Sequence, residues 1–324
     1  MKRKIIIAGA NGFIGRYLAR WLAGKGDEVV ALVRTPGTAP ESAREVLWDG
    51  EVLGSWAAEL EGADAVVNLA GRSVNCRYHA RNRARIFESR TASTRILGEA
   101  IALAADPPEV WINSSTATIY RHAEDGPQDE YHGELGGGFS VEVAKAWEKA
   151  FYGARVPGGV RKVALRTSLV LAREPDTVFD YFWKIARLGL GGPMGSGNQR
   201  ISWVHIADFC RAVEWIMERP DFEGVANVAA PEVPTNREFM AAMRGLAGVP
   251  FGLPARRWML SLGTWVCRTE AELVLKSRWV RSARLSRAGF EFRYARLAQA
   301  LADLAPVDQP VGAPAPAKNV LGTQ

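Results

Sequence analysis

Cysteine is scarce in this chain. Its three cysteines, Cys76, Cys210 and Cys267, are too few and too scattered for a disulfide framework. With only four histidines beside them, no cluster has metal-ligand spacing, so no structural metal is expected, and a reducing, cytoplasmic setting fits. Long apolar runs are lacking too. None approaches the about 18 residues that a membrane-spanning helix needs. The amino-terminal run Ile5–Ala8 is too short for the core of a secretory signal, so no membrane association is expected. Acidic residues are missing from one stretch: between Arg72 and Arg95 stand seven arginines and a single acid, Glu88. Such a field suits an anionic small molecule or nucleic acid. Aromatics do not interleave with these arginines and no nucleic-acid-binding module is recognisable, so nucleic acid is not expected, and most of the arginines read as a solvated helix face. No internal repeat is present.

What the chain does contain is ordinary globular material: 324 residues, 48% hydrophobic and 23% charged, enough for one large domain with a smaller one attached. KIIIA (4–8) is a short β-branched run followed at once by glycines, which reads as a buried strand. Helical spacing follows from Phe13, then further strands at 28–33, 65–69, 110–113 and 162–171, with helices between them. Strands alternating with helices predict an α/β fold, a Rossmann-type doubly wound parallel sheet, with a smaller, mostly helical C-terminal substrate domain. The expected division is a nucleotide-binding domain over 1–230 with a substrate-side insertion near 175–200, a small domain over 231–304, and a Pro/Ala-rich disordered tail over 305–324.

The glycine loop Gly9-Ala-Asn11-Gly12-Phe13-Ile14-Gly15 lies directly between strand and helix. The first glycine permits a tight turn, the second brings backbone N–H groups to a pyrophosphate, and the third allows close helix–strand packing. The second strand ends in Arg34, where an acid would hold the ribose 2′-hydroxyl of NAD. An arginine there would pair with a 2′-phosphate instead, which favours NADP over NAD.

These residues resemble the extended short-chain dehydrogenase/reductase superfamily, in its NAD(P)-dependent epimerase/dehydratase group. GANGFIG is similar to the group's cofactor loop, and NLAG (68–71) to the segment lining the adenine side of the cofactor, which implies cofactor contacts for Leu69, Ala70 and Gly71. INSSTATIY (112–120) resembles the strand end that carries the catalytic serine or threonine, which puts Thr116 in that role. SWVHIADF (202–209) resembles the motif at which the chain returns to the main domain. FGLPARRW (251–258) and TEAELVLKSRWV (269–280), followed by AGFEF, resemble one atypical branch: sugar-nucleotide-epimerase-like proteins of unassigned substrate, with a small C-terminal domain of unknown function.

The resemblance also exposes a departure. Ordinary members use a tyrosine, poised by a lysine four residues later, to exchange a proton with the substrate hydroxyl. Alignment on Glu148 puts Ser140 at the tyrosine position and Ala144 at the lysine position, and no tyrosine in the chain is followed four residues later by lysine. Lys145 is adjacent, but about 100° around the helix from residue 144. It could serve only if the helix were turned. Arg90 shares a helical face with Ile86, Thr94, Leu97 and Ile101, the stripe expected to be buried, so it must pair with a carboxylate or meet an anionic ligand. Lys276 and Arg278 are candidate anchors for an anion, or solvated charges. The expected function is therefore NADP-dependent oxidoreduction or epimerisation at a hydroxyl or carbonyl of a small, anionic or nucleotide-sugar-like substrate. Thr116, Ser140 and Lys145 are its candidate catalytic residues. The alternative is an NADP(H)-binding sensor or scaffold without turnover. A homodimer is left open.

Overall fold

The computed structural model describes residues 2–255 and 275–305. Seven parallel strands form one sheet: β1 (Lys4–Ala8), β2 (Glu28–Val33), β3 (Arg44–Leu47), β4 (Ala65–Asn68), β5 (Val110–Thr116), β6 (Arg161–Thr167) and β9 (Gly224–Val228). Their order across the sheet is β3-β2-β1-β4-β5-β6-β9. The strand order reverses between β1 and β4, and in open α/β sheets that switch point opens a crevice at the carboxyl ends of the strands.

Away from the β3 edge the strands are buried on both faces, which is why β1, β2 and β4 run largely apolar without alternation. In β1, Ile5 and Ile7 enter one core with helices α1 (Phe13–Gly24) and α5 (Ile206–Met217). Ile6 and Ala8 enter the other, beneath α2 (Ala80–Leu103) and α3 (Phe139–Gly153). A third core joins α4 (Val178–Arg187), α6 (Asn236–Ala247) and the carboxyl-terminal helix α8 (Leu297–Leu304), around Phe179, Phe239, Met243 and Leu301. A short helix α7 (Ala283–Arg287) precedes α8.

Two elements differ from the sequence expectation. The single strand expected over 162–171 is split. β6 stops at Thr167, where both of its neighbours end or turn away, and β7 (Leu169–Leu171) pairs with β8 (Trp203–His205) in a separate two-stranded sheet. β3 was not expected, because Arg-Glu-Val-Leu at a sheet edge needs no apolar run. Of the segments carrying the resemblance, 256–274 lies outside the described residues, as does nearly all of the expected disordered tail.

Candidate active site

The crevice floor begins with the glycine loop. Gly9 has φ +78°, a conformation open to glycine, and its N–H donates to Leu32 O at 3.2 Å. A Cβ on Gly9 would lie 3.0 Å from the backbone of Leu69 and Ala70, and one on Gly15 would lie 2.4 Å from Gly9 O. The three segments are therefore locked together by the absence of side chains. Helix α1 starts at Gly12 with no side-chain cap and no acid in its first turn. Its first N–H groups, from Phe13, Ile14 and Gly15, have no intrahelical acceptor and carry the positive end of the helix dipole. That is a cradle for a pyrophosphate, so the residues present fit a dinucleotide.

The second wall is the loop after β2. Glu45 on β3 accepts the N–H groups of Gly37, Thr38 and Ala39 at 2.9, 3.1 and 3.0 Å. These bonds, Gly37 first, hold its carboxyl below the usual range. Asn11 Nδ2 donates to Thr38 Oγ1 at 3.2 Å, tying the glycine loop to this braced turn. Arg34, at its start, is exposed and makes no hydrogen bond or ion pair among the described residues.

The strand ends are joined by a buried amide network. Asn68 Nδ2 donates to Asn113 Oδ1 at 2.7 Å and to Thr94 Oγ1 at 3.2 Å, while Asn68 Oδ1 accepts the N–H of Ala70 at 3.1 Å. Trp147 Nε1 donates to Thr94 Oγ1 at 2.9 Å, which pins α3 to α2. Thr116 ends β5 and caps the following 3-10 turn (Ala117–Ile119), its Oγ1 accepting from Thr118 N at 3.1 Å. The Thr116 hydroxyl proton is thus left for another acceptor.

Helix α3 is held by a buried ion pair that sequence reasoning missed. Arg166 on β6 grips Glu148 through Nε and Nη2 at 2.8 and 2.7 Å, and Ser115 Oγ donates to Glu148 at 2.7 Å. Arg166 Nη1 also donates to Tyr120 Oη at 2.9 Å. Glu148 was legible only as an alignment anchor, since its partner lies eighteen residues away on the next strand. Two turns earlier, Ser140 Oγ is buried without a hydrogen-bond partner, and Ala144 is fully buried. Lys145 points away from both. Its Nζ donates to Gly136 O at 3.1 Å and to Glu142 at 3.2 Å.

Arg90 lies beside this region and has no carboxylate partner among the described residues. Its Nη1 donates to Arg72 O and Ile86 O, each at 3.0 Å, and its guanidinium stacks 5.1 Å from the Trp147 ring centre. A Cβ on Gly71 would meet Arg90 Cζ at 3.3 Å. Burial pulls the Arg90 guanidinium down to about 10. Lys276 and Arg278, distant in sequence, arrive at the turn below Thr116: Lys276 Nζ donates to Thr118 O at 2.8 Å and Arg278 Nε to Thr118 Oγ1 at 3.1 Å.

With this geometry in view, a sequence model of the NAD dependent epimerase/dehydratase family matches residues 5–229. The chain belongs to that family. A second model, a domain of unknown function (DUF1731), matches residues 257–304. The human epimerase family protein SDR39U1 is 31% identical over 311 residues, covering 93% of this chain and 99% of that protein. A crystal structure of human SDR39U1 (isoform 2) with NADPH aligns at a TM-score of 0.82 and 30% identity, over 93% of this chain and 99% of that one. A nucleoside-diphosphate sugar epimerase from Corynebacterium glutamicum aligns at 0.75 and 25% identity, over 94% of this chain and 59% of that one.

The chain thus has a glycine cradle and a threonine at the end of β5, and no tyrosine in it is followed four residues later by lysine. Tyr131 and His132, which precede the glycine-rich entry to α3, do not fill the gap: Tyr131 lies under Arg287 at 4.5 Å, and the His132 side chain is 85% exposed beside Asp129. Among the described residues no group of His, Cys, Asp and Glu could hold a metal ion, and no helix is long and apolar enough to cross a membrane.

Proposed function

We propose that this protein is an NADP-dependent oxidoreductase or epimerase acting on a hydroxyl or carbonyl of a small, anionic or nucleotide-sugar-like substrate. The observation that carries the reading is the uncapped start of α1 in a cradle that no Cβ could enter, with Arg34 unpaired at the end of β2. Gly9, Asn11, Gly12, Phe13, Ile14 and Gly15 would hold the pyrophosphate, Arg34 the 2′-phosphate, and Leu69, Ala70 and Gly71 the adenosine side. NADPH in the crystal structure of human SDR39U1 supports the same choice of cofactor. A bound nicotinamide supplies or accepts a hydride at the reacting carbon.

The chain's own part is to position the substrate oxygen and move its proton. Thr116 donates its hydroxyl proton in a hydrogen bond to that oxygen. Ser140 Oγ, buried and without a partner, would hydrogen-bond the same oxygen or a water beside it and leave the net proton transfer to that water, because an alcohol is neither acid nor base enough to stand alone in a tyrosine's place. Lys145 would join only by leaving Gly136 and Glu142. Lys276 and Arg278 brace the turn beneath Thr116 from the carboxyl-terminal side.

A second reading, cofactor binding without turnover, has one observation in its favour. The lysine position is a sealed alanine, and the neighbouring lysine is already engaged. The two are separated by incubating the NADPH-loaded protein with a panel of carbonyl compounds and nucleotide sugars. Consumption of NADPH or formation of an epimer supports the enzyme. Tight NADPH binding with no turnover across the panel supports the binding protein.

A further inference from the structure

Arg90 is an arginine whose environment is unfinished. Both Nη1 hydrogens are used, by the carbonyls of Arg72 and Ile86, and these bonds fix the plane of the guanidinium. Nε and Nη2 have no partner among the described residues, yet they form the guanidinium's side-on fork, two parallel N–H donors at the spacing of two coplanar oxygens. The side chain packs against Gly71 and its guanidinium lies over the Trp147 ring, so it cannot swing away without losing both contacts. Its electrostatic neighbours are a phenol and a thiol, Tyr78 and Cys76, rather than a carboxylate. The Tyr78 ring stands edge-on to Phe139, 4.9 Å between centres, at the start of α3 next to Ser140. Through Tyr78, Arg90 neighbours the first turn of α3.

The residue is half-buried and neither Nε nor Nη2 is sealed from solvent, so the fork stands open to a bidentate anion. The cofactor's own phosphates have the α1 cradle and Arg34 for partners. We propose that the Nε/Nη2 edge of Arg90 receives a carboxylate of the substrate, carried close to the carbon whose hydroxyl or carbonyl reacts. A carboxylate matches one guanidinium in charge and offers two coplanar oxygens to one fork. Substrate acids would then be held in a fixed rotation beside Thr116 and Ser140, and the corresponding neutral alcohols or amides would be refused because they leave the fork unpaired. This rests on the oxidoreductase reading, whose cofactor half can be checked apart from it.

The test uses the full chain saturated with NADP+. Phenylglyoxal modifies arginines, and peptide mapping reports the rate at Arg90 alone. Glycolate should slow that rate in a saturable way, while glycolamide and inorganic phosphate at the same concentration should not. By calorimetry, Arg90→Lys, which keeps the charge but not the fork, should bind glycolate about ten-fold or more weakly. Arg90→Met should abolish the binding while NADPH affinity persists. The proposal is overturned if glycolate and glycolamide act alike, if phosphate protects as well as glycolate, or if Arg90→Lys retains full glycolate affinity. The protection measurement on the unaltered protein decides the matter even where a variant fails to fold. Loss of NADPH binding by the unaltered protein would sink the oxidoreductase reading rather than this one.

Discussion

At the scale of single residues, the two groups proposed to handle the proton, Thr116 and Ser140, are opposite cases. Thr116 accepts one backbone hydrogen bond and keeps its own proton for another acceptor. Thr116→Ala should lower turnover by about a hundred-fold, the usual effect of removing one well-placed donor, with NADPH affinity unchanged, and Thr116→Ser should restore much of it. Equal loss of turnover and of NADPH affinity would move Thr116 out of that role. Ser140 presents a buried oxygen with nothing to bond. An unsatisfied buried hydroxyl destabilises, so Ser140→Ala should hold or raise the unfolding free energy from urea titration by up to about 1 kcal/mol while lowering turnover. Lower stability without loss of turnover would make Ser140 structural. Thr116 could be proposed from the sequence because its motif is local. The state of the Ser140 oxygen was not, since it depends on which neighbours fail to reach it. Nor was the lack of a carboxylate at Arg90, because helical spacing reports burial and not partners.

Elements set where those residues stand. The buried Glu148–Arg166 pair fastens α3 to β6, so removing one partner strands the other's charge. Glu148→Leu should cost about 3–5 kcal/mol in chemical denaturation, and Glu148→Leu with Arg166→Leu should cost much less. Equal loss in the single and double variants would show that the pair itself stabilises the helix. Gly15→Ala tests the other anchor. Its Cβ would sit 2.4 Å from Gly9 O and 2.7 Å from Ala10 Cα, backbone that cannot move without opening the cradle. Circular dichroism should show a folded protein weakened by about 1–3 kcal/mol, with NADPH binding lost. β1 and β2 were readable residue for residue, because strands buried on both faces are continuous apolar runs. β3 and the β6–β7 break were not. An edge strand needs no apolar run, and the break is set by where β5 and β9 end.

Across the whole molecule, distant segments meet at two places that sequence pattern could not reveal. One is the turn after Thr116, where Lys276 and Arg278 arrive from the carboxyl-terminal side. The other is His205, whose Nδ1 accepts from Ala207 N at 3.2 Å while its ring stacks on Tyr294 at 3.8 Å and its Nε2 lies 3.2 Å from Asp303. Burial holds the imidazole below its ordinary value of 6.5, against the opposing pull of Asp303 and Asp208. The native state keeps the neutral ring and the unfolded chain takes up the proton first. This contribution to stability is therefore whole above about 6.5 and is lost as pH falls through the folded-state value. Urea midpoints should drop between neutral and mildly acidic pH, and more steeply in the unaltered protein than in His205→Asn, which can still cap α5. Parallel profiles would assign the acid sensitivity elsewhere.

The glycine cradle and Arg34 together should prefer a dinucleotide that carries a 2′-phosphate. The most direct test of that preference is calorimetric titration of the unaltered protein and Arg34→Ala with NADPH and with NADH. The expected result is that NADPH binds at least about ten-fold tighter than NADH, the worth of one charge-assisted contact, and that the ratio falls towards one in Arg34→Ala. Equal affinities in the unaltered protein, or a ratio that survives the loss of Arg34, would contradict it.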